Sequence, residues 1–189
     1  MAETRPGGRT ARTREAVHAA VRAMWAEGRD PLSVREVSAR SGVHEVTIYR
    51  RWKTVEALAL DVAVTRMNEE SPFPDSGDLR RDLLDWVRSV ADRVGTPEGF
   101  AFYRALAAAT SARGAGQGPA TEEAAVHLRR RTEQIQRVLD RAAAAGAPRL
   151  TVEHVFDVVL APVYLRAIFG YAAPGSDLEA LVDRVLDTP

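Results

Sequence analysis

The chain has 189 residues, 26 basic and 26 acidic side chains, and no cysteine. That length holds one or two compact units, and the missing cysteine excludes disulfides, thiol catalysis and cysteine metal sites and suits a reducing cytoplasm. No apolar run reaches the roughly 20 residues of a membrane span and the polar, arginine-bearing start is no secretory leader, so a cytoplasmic protein with no membrane partner is expected.

Charge is unevenly divided: residues 1–66 hold 12 basic and 8 acidic groups, net +4, and the remainder is net −4, so the front would be drawn to a polyanion. Residues 1–9, with Pro6, Gly7 and Gly8, read as a mobile tail, and Arg5, Arg9, Arg12 and Arg14 could lie along a phosphate backbone. From about Thr10 to Glu27, Val17, Val21, Met24 and Trp25 form one helical stripe, closed by Gly28 and Asp30-Pro31. Ser33 and Glu36 make a capping box, so a second helix starts near Val34, with Val34 and Val37 inward and Arg35, Glu36 and Arg40 toward water. Gly42 ends it where a left-handed residue is needed. A third helix from His44 buries Ile48 and Trp52 and leaves His44, Glu45, Thr47, Tyr49, Arg50 and Arg51 to an outside partner. Two short helices about a glycine turn are either a helix-turn-helix, whose second helix enters the major groove of double-stranded DNA, or a plain helical hairpin with a solvated face.

Thr54 caps a fourth helix with Leu58 and Val62 on its stripe, ending at Ser71-Pro72-Phe73-Pro74. The expected division is therefore a tail over 1–9, a unit over 10–70 that includes the fourth helix, and a second unit over 75–189. Asp78 caps a fifth helix, Leu79 to Val94, stopped by Gly95-Thr96-Pro97. A sixth is expected from Phe100 to about Ala112, then a flexible connection through Gly114, Gly116, Gly118 and Pro119. Thr121 would cap a long seventh helix to about Ala145, with Leu128, Ile135, Val138 and Leu139 inward and Arg129, Arg130 and Arg131 in solvent. The eighth, about Val152 to Phe169, is apolar nearly all round, and Pro162 within it should kink it and free a carbonyl. Ser176 and Glu179 read as a second capping box, opening a last helix on Leu178, Leu181, Val182 and Val185. A small domain rarely covers both sides of an outer apolar helix, so the last two helices are expected to pair with their copies in a homodimer. The fold class is all-α, about nine helices with no convincing strand.

Val34-Arg35-Glu36-Val37-Ser38, Ser41-Gly42-Val43, Thr47-Ile48-Tyr49 and Trp52 resemble the N-terminal domain of the TetR family of transcriptional regulators, and Ala161-Pro162-Val163-Tyr164-Leu165-Arg166 resembles a C-terminal domain class of that family. The resemblance implies that Ser33, Thr47 and Tyr49 bond phosphates and that His44 and Glu45 face bases; Arg35, on the outward face of the second helix, is a further DNA-binding candidate. The family's proline-serine-lysine stands here as Lys53-Thr54-Val55, so its phosphate-binding lysine is missing and Lys53, the chain's one lysine, could serve instead. Arg50 and Arg51 would add phosphate contacts, which position without specifying. Glu45 either accepts from cytosine N4 at a base edge or stands in solvent; His44 either donates to guanine or substitutes for a helix cap.

The resemblance also implies a small-molecule pocket among the C-terminal helices, whose occupancy shifts the fourth helix and spoils the half-site spacing. Trp86, Phe100, Tyr103, Leu106, His127, Phe156 and Tyr164 are its candidates, each with core packing as the competing reading. Trp86 leads because it sits off the Leu83–Val87 stripe. Mostly apolar walls favour an uncharged or aromatic ligand. Neither a nucleophile motif nor metal-ligand spacing among His18, His44, His127 and His154 supports an enzyme, and no cofactor is implied. The expectation is a repressor of a palindromic operator, released by ligand. The alternative is a helical protein-interaction module that has lost specific DNA binding.

Overall fold

The computed structural model describes residues 8–70, 72–110 and 119–187, and every regular element among them is helical. In chain order these are α1 (Arg9–Ala26), α2 (Val34–Ser41), α3 (Glu45–Trp52), α4 (Val55–Glu70), α5 (Leu79–Val94), α6 (Pro97–Thr110), α7 (Pro119–Ala144), a composite α8 over 152–169, and α9 (Leu178–Leu186), nine helices among the described residues. No helix among them is long and apolar enough to cross a membrane. Most of the expected tail, Ser71 of the proline-rich break and the glycine-rich connection up to Gly118 lie outside the described residues.

Two apolar cores form. The first gathers Val17, Val21, Met24 and Trp25 of α1, Val34 and Val37 of α2, Ile48 and Trp52 of α3, and Leu58 and Val62 of α4. It is completed from far along the chain, because Ala101 and Phe102 of α6 are buried in it as well. The second joins α5, α7, α8 and α9 through Leu83, Val87, Ile135, Leu139, Val159 and Val182. Helix α4 lies between. Leu58 and Val62 face the first core, while Leu60 and Val64, two residues away and so about 200° round the helix, meet Leu128 of α7. A helix apolar on opposite sides must be covered on both. Tyr103 of α6 packs against both cores.

Several boundaries differ from the sequence expectation. Helix α6 starts at Pro97, because the Gly99 N–H bonds Thr96 Oγ1 at 3.0 Å and a proline at the first helical position has no N–H to lose. Helix α7 likewise starts at Pro119, two residues before the expected cap Thr121. In α8, an α-helical turn Val152–Val155 opens into a π-helical turn Phe156–Leu160 before the α-helix resumes over Ala161–Phe169. There the Ala161 N–H reaches back to Phe156 O, and this widened turn accommodates the N–H that Pro162 lacks. The second capping box does not form. Asp177, left-handed at φ 52, precedes α9 without a side-chain cap. With Asp177 at the cap position, α9 starts one residue later than the box requires, and the Glu179 carboxylate is drawn to Arg88 of α5 at 2.9 Å instead of the helix start.

Candidate nucleic-acid interface and interior cavity

Helices α2 and α3 are held by local chemistry that leaves one face outward. The Glu36 N–H bonds Ser33 Oγ at 3.2 Å, and the serine hydroxyl donates to the Glu36 carboxylate at 2.8 Å rather than leaving that carboxylate for the Ser33 backbone. Glu36 also meets Arg29, and Arg40 forks onto Glu27, the residue that caps the end of α1, with two bonds of 2.6 Å. Gly42 closes α2 at φ 67. At the start of α3, His44 Nδ1 accepts the Val46 N–H at 3.3 Å. His44 therefore caps the helix, and an accepting Nδ1 leaves the ring proton on Nε2 as a donor. Ile48 and Trp52 are buried, whereas Val46 is 65% and Tyr49 49% exposed. Arg35, His44, Arg50 and Lys53 are exposed, and Ser33, Glu45 and Thr47 are partly so. A shallow depression brings His44, Thr47, Arg50 and Arg51 of this face beside Thr10 and Thr13 at the start of α1. Arg14 does not join it: its guanidinium turns inward to Asp61, with Nε at 3.2 Å, and to Thr65 at 3.0 Å, so it is not a backbone-tracking arginine. The tail residue Arg5 and the Arg9 side chain lie outside the described residues.

Two features at the end of α3 had no sequence signal beyond residue type. Lys53 adopts φ 63, ψ −42, and the Thr54 N–H bonds Trp52 O across it at 2.7 Å, a γ-turn of the strained hand on a non-glycine residue. Beneath it, Asp61 of α4 collects three donor side chains from two helices: Trp52 Nε1 of α3 at 2.8 Å, and His18 Nε2 at 3.0 Å and Arg14 of α1. Burial pushes the Asp61 carboxyl up, but the bonds from His18, Arg14 and Trp52 outweigh it and hold the group well below the usual carboxylate range.

Between the cores lies a cavity of about 350 Å³. Trp86, Tyr103, Phe156 and Tyr164 of the expected pocket set line it, with Val90, Phe102, Ile135 and Leu160. Phe100 is partly buried elsewhere on α6, and the side chains of Leu106 and His127 lie outside the described residues. Trp86 is edge-on to Phe73 and stacked on Phe156, and its Nε1–H is buried without a partner. Tyr103 and Tyr164 sit with ring centroids 4.6 Å apart. Burial raises Tyr103, and burial first, then the neighbouring Tyr103, raise Tyr164 well above an ordinary phenol, so both keep their protons.

Sequence reasoning missed the wall's charge: Arg66 of α4, Arg93 of α5 and Arg131 of α7 all line the cavity. Arg129 and Arg130 are exposed as expected, but Arg131 is only 9% exposed, which corrects the expectation of a solvated arginine run at that one position. Its spacing held the signal, since Arg131 lies three residues after Leu128 and four before Ile135, on the inward stripe. Arg66 is paired with Glu98 of α6.

Residues 73–185 match a domain described as Tetracyclin repressor-like, C-terminal domain, and residues 16–62 one described as Bacterial regulatory proteins, tetR family. The chain is 38% identical over 97 residues to the HTH-type transcriptional regulator AqdR of Rhodococcus erythropolis, a match spanning 51% of the chain and 47% of that relative. An uncharacterized HTH-type transcriptional regulator of Mycobacterium tuberculosis is 26% identical over 97% of the chain and 90% of its own length. Among solved structures, the TetR family transcription regulator SCO0332 superposes with a TM-score of 0.69 at 26% identity, covering 94% of this chain and 99% of that one. A putative TetR-family regulator from Mesorhizobium loti shares the fold, at 16% identity and a TM-score of 0.64 over 95% of each chain. The capped helix pair, the nine-helix architecture and these likenesses agree: the chain belongs to the TetR family of DNA-binding bacterial transcriptional regulators, a family of regulators and not of enzymes.

Proposed function

We propose that this regulator is a cytoplasmic homodimeric repressor that grips a palindromic operator with α3 and is released when a small molecule enters the interior cavity. The observation that carries this reading is the position of α4. Through Asp61 it holds α3 and α1, through Leu60 and Val64 it lies against α7, and through Arg66 it forms part of the cavity wall. A ligand that favours a displaced α4 moves the reading helix with it, and only such a differential preference shifts the equilibrium.

Domain by domain, 10–70 reads DNA and 75–189 dimerises and binds ligand, although α6 lends Ala101 and Phe102 to the first unit's core. On the DNA side, Tyr49, Thr47, Arg50, Lys53, Arg35 and Ser33 contact phosphates while Glu45 and the free Nε2 edge of His44 face bases. In support of dimerisation, α8 leaves Leu165, Ile168 and Phe169 exposed, followed by Tyr171. Contiguous apolar surface of that kind marks an interface. Two copies would present α3 to half-sites about 34–36 Å apart.

Selection of bound duplexes from a random DNA pool, followed by a salt titration on the winner, tests the reading. A palindromic winner with steeply salt-dependent affinity is expected. Weak, sequence-independent binding would sink it in favour of a helical interaction module.

A further inference from the structure

The polar groups around the cavity are unbalanced. Trp86 Nε1–H, a donor only, is buried there with nothing to donate to. The Tyr103 hydroxyl is engaged by Arg93 and Tyr164. Thr132 spends its hydroxyl proton on the Leu128 carbonyl at 3.1 Å. Three guanidiniums line the wall against one lining carboxylate among the described residues, Asp157, which is exposed; Glu98 answers Arg66 from just outside. A lining that carries three guanidiniums and an unanswered indole N–H among apolar walls suits a guest with acceptors, negative charge and an apolar body.

Resting on the ligand-binding reading above, we propose that this cavity receives an organic anion, an aromatic or alkyl body carrying one carboxylate or similar acid, with the acid held by Arg93 and Arg131 and the Trp86 indole N–H. Burial and then the charge of Arg93 lower the proton affinity of Arg131, the direction an arriving anion would reverse. Val90, Phe102, Ile135 and Leu160 supply the surface for the body. The phenols of Tyr103 and Tyr164 stay neutral, so they do not repel the acid.

Calorimetric titration of the full chain with matched pairs tests this: naphthalene-2-carboxylate against naphthalene-2-carboxamide, and octanoate against octanamide. In at least one pair the acid should bind about tenfold or more tighter than its amide, since charge-assisted bonds are roughly twice as strong as neutral ones. Arg131→Gln should erase that preference and leave amide binding in place, with circular dichroism melts confirming the fold. Should that variant not fold, the acid-to-amide ratio of the unaltered chain and of Arg93→Gln decides. Amides binding as tightly as acids would overturn the anionic class while leaving the cavity a ligand site. Binding by none of the four would overturn both.

Discussion

Trp52 Nε1 donates to Asp61 Oδ2 at 2.8 Å, which fastens the last turn of α3 to the middle of α4. Because the same carboxylate takes His18 and Arg14 from α1, one side chain fixes the orientation of the reading helix against both helices behind it. Asp61→Asn keeps the size but removes the charge and presents an N–H₂ where acceptors are needed. Breaking a buried pair costs about 3–5 kcal/mol; with Arg14 partly exposed, a loss of about 2–3 kcal/mol is expected in urea unfolding at pH 7. Operator affinity should fall along with it.

The same carboxylate sets an acid limit. Its folded pKa lies below its unfolded value of about 4, so its contribution is complete above that value and fades as pH falls from there toward the folded pKa. Unfolding curves of the native chain and of Asp61→Asn should therefore converge as pH drops below about 4. A gap that stays constant down through that range would show that Asp61 does not contribute as an ion.

At the other end of the coupling, Gly99 sits where a Cβ would lie 1.8 Å from the Arg93 carbonyl oxygen, so α6 can start against the end of α5 only without a side chain there. Gly99→Ala must push the two helices apart, at a cost of about 1–3 kcal/mol by analogy with overpacked cores. Arg93 and Gly99 both line the cavity, so the same change should weaken acid binding in calorimetry more than it weakens operator binding. Equal losses in both would place its effect in global stability alone.

The sequence showed the stripes and most of the caps because these are local: Ser33, Thr54 and Asp78 each bond a backbone N–H three residues on. It did not show what needs a distant partner. Asp61 reads as a surface residue of an amphipathic helix until Arg14, His18 and Trp52 converge on it. Ala101 and Phe102 read as a generic apolar helix, with nothing local to say that they complete the first core. Ser176 and Glu179 match a capping box in spacing, but Asp177 takes the cap position in a left-handed conformation and Arg88 draws Glu179 away. Arg131 was legible in principle, but its charge and its two arginine neighbours masked a helical register that points it inward.

Lys53 combines a strained backbone with a side chain expected at a phosphate. Glycine tolerates φ 63 without a Cβ clash, so Lys53→Gly should raise stability by about 0.5–1 kcal/mol in thermal melts. If Lys53 serves as the missing family lysine, the same variant binds the operator more weakly on every sequence, with the salt slope shallower by about 1. More stable but weaker binding is the expected pair of outcomes; unchanged affinity would leave the γ-turn without a DNA role.

Reading and anchoring on α3 separate in the same assay. Arg50→Ala should weaken all duplexes about equally, whereas Glu45→Ala should change preference at one base pair per half-site, where a carboxylate accepts from cytosine N4. An unchanged selected motif would make Glu45 a solvated residue.

Finally, the outer end of α8 can be charged without touching its own core. Ile168 and Phe169 are 55% and 71% exposed, whereas Val163, on the inward side, is fully buried. In an isolated chain, Ile168→Glu combined with Phe169→Glu would therefore cost little stability, since neither side chain is packed. In a dimer the same two carboxylates meet their copies across a two-fold axis, in an apolar interface where like charges are desolvated together. Sedimentation should thus show a monomer with an intact helical spectrum. Its affinity for a single half-site should be retained, and that for the full palindrome should fall to the single-site value. A variant that stayed dimeric would move the interface away from this end of α8.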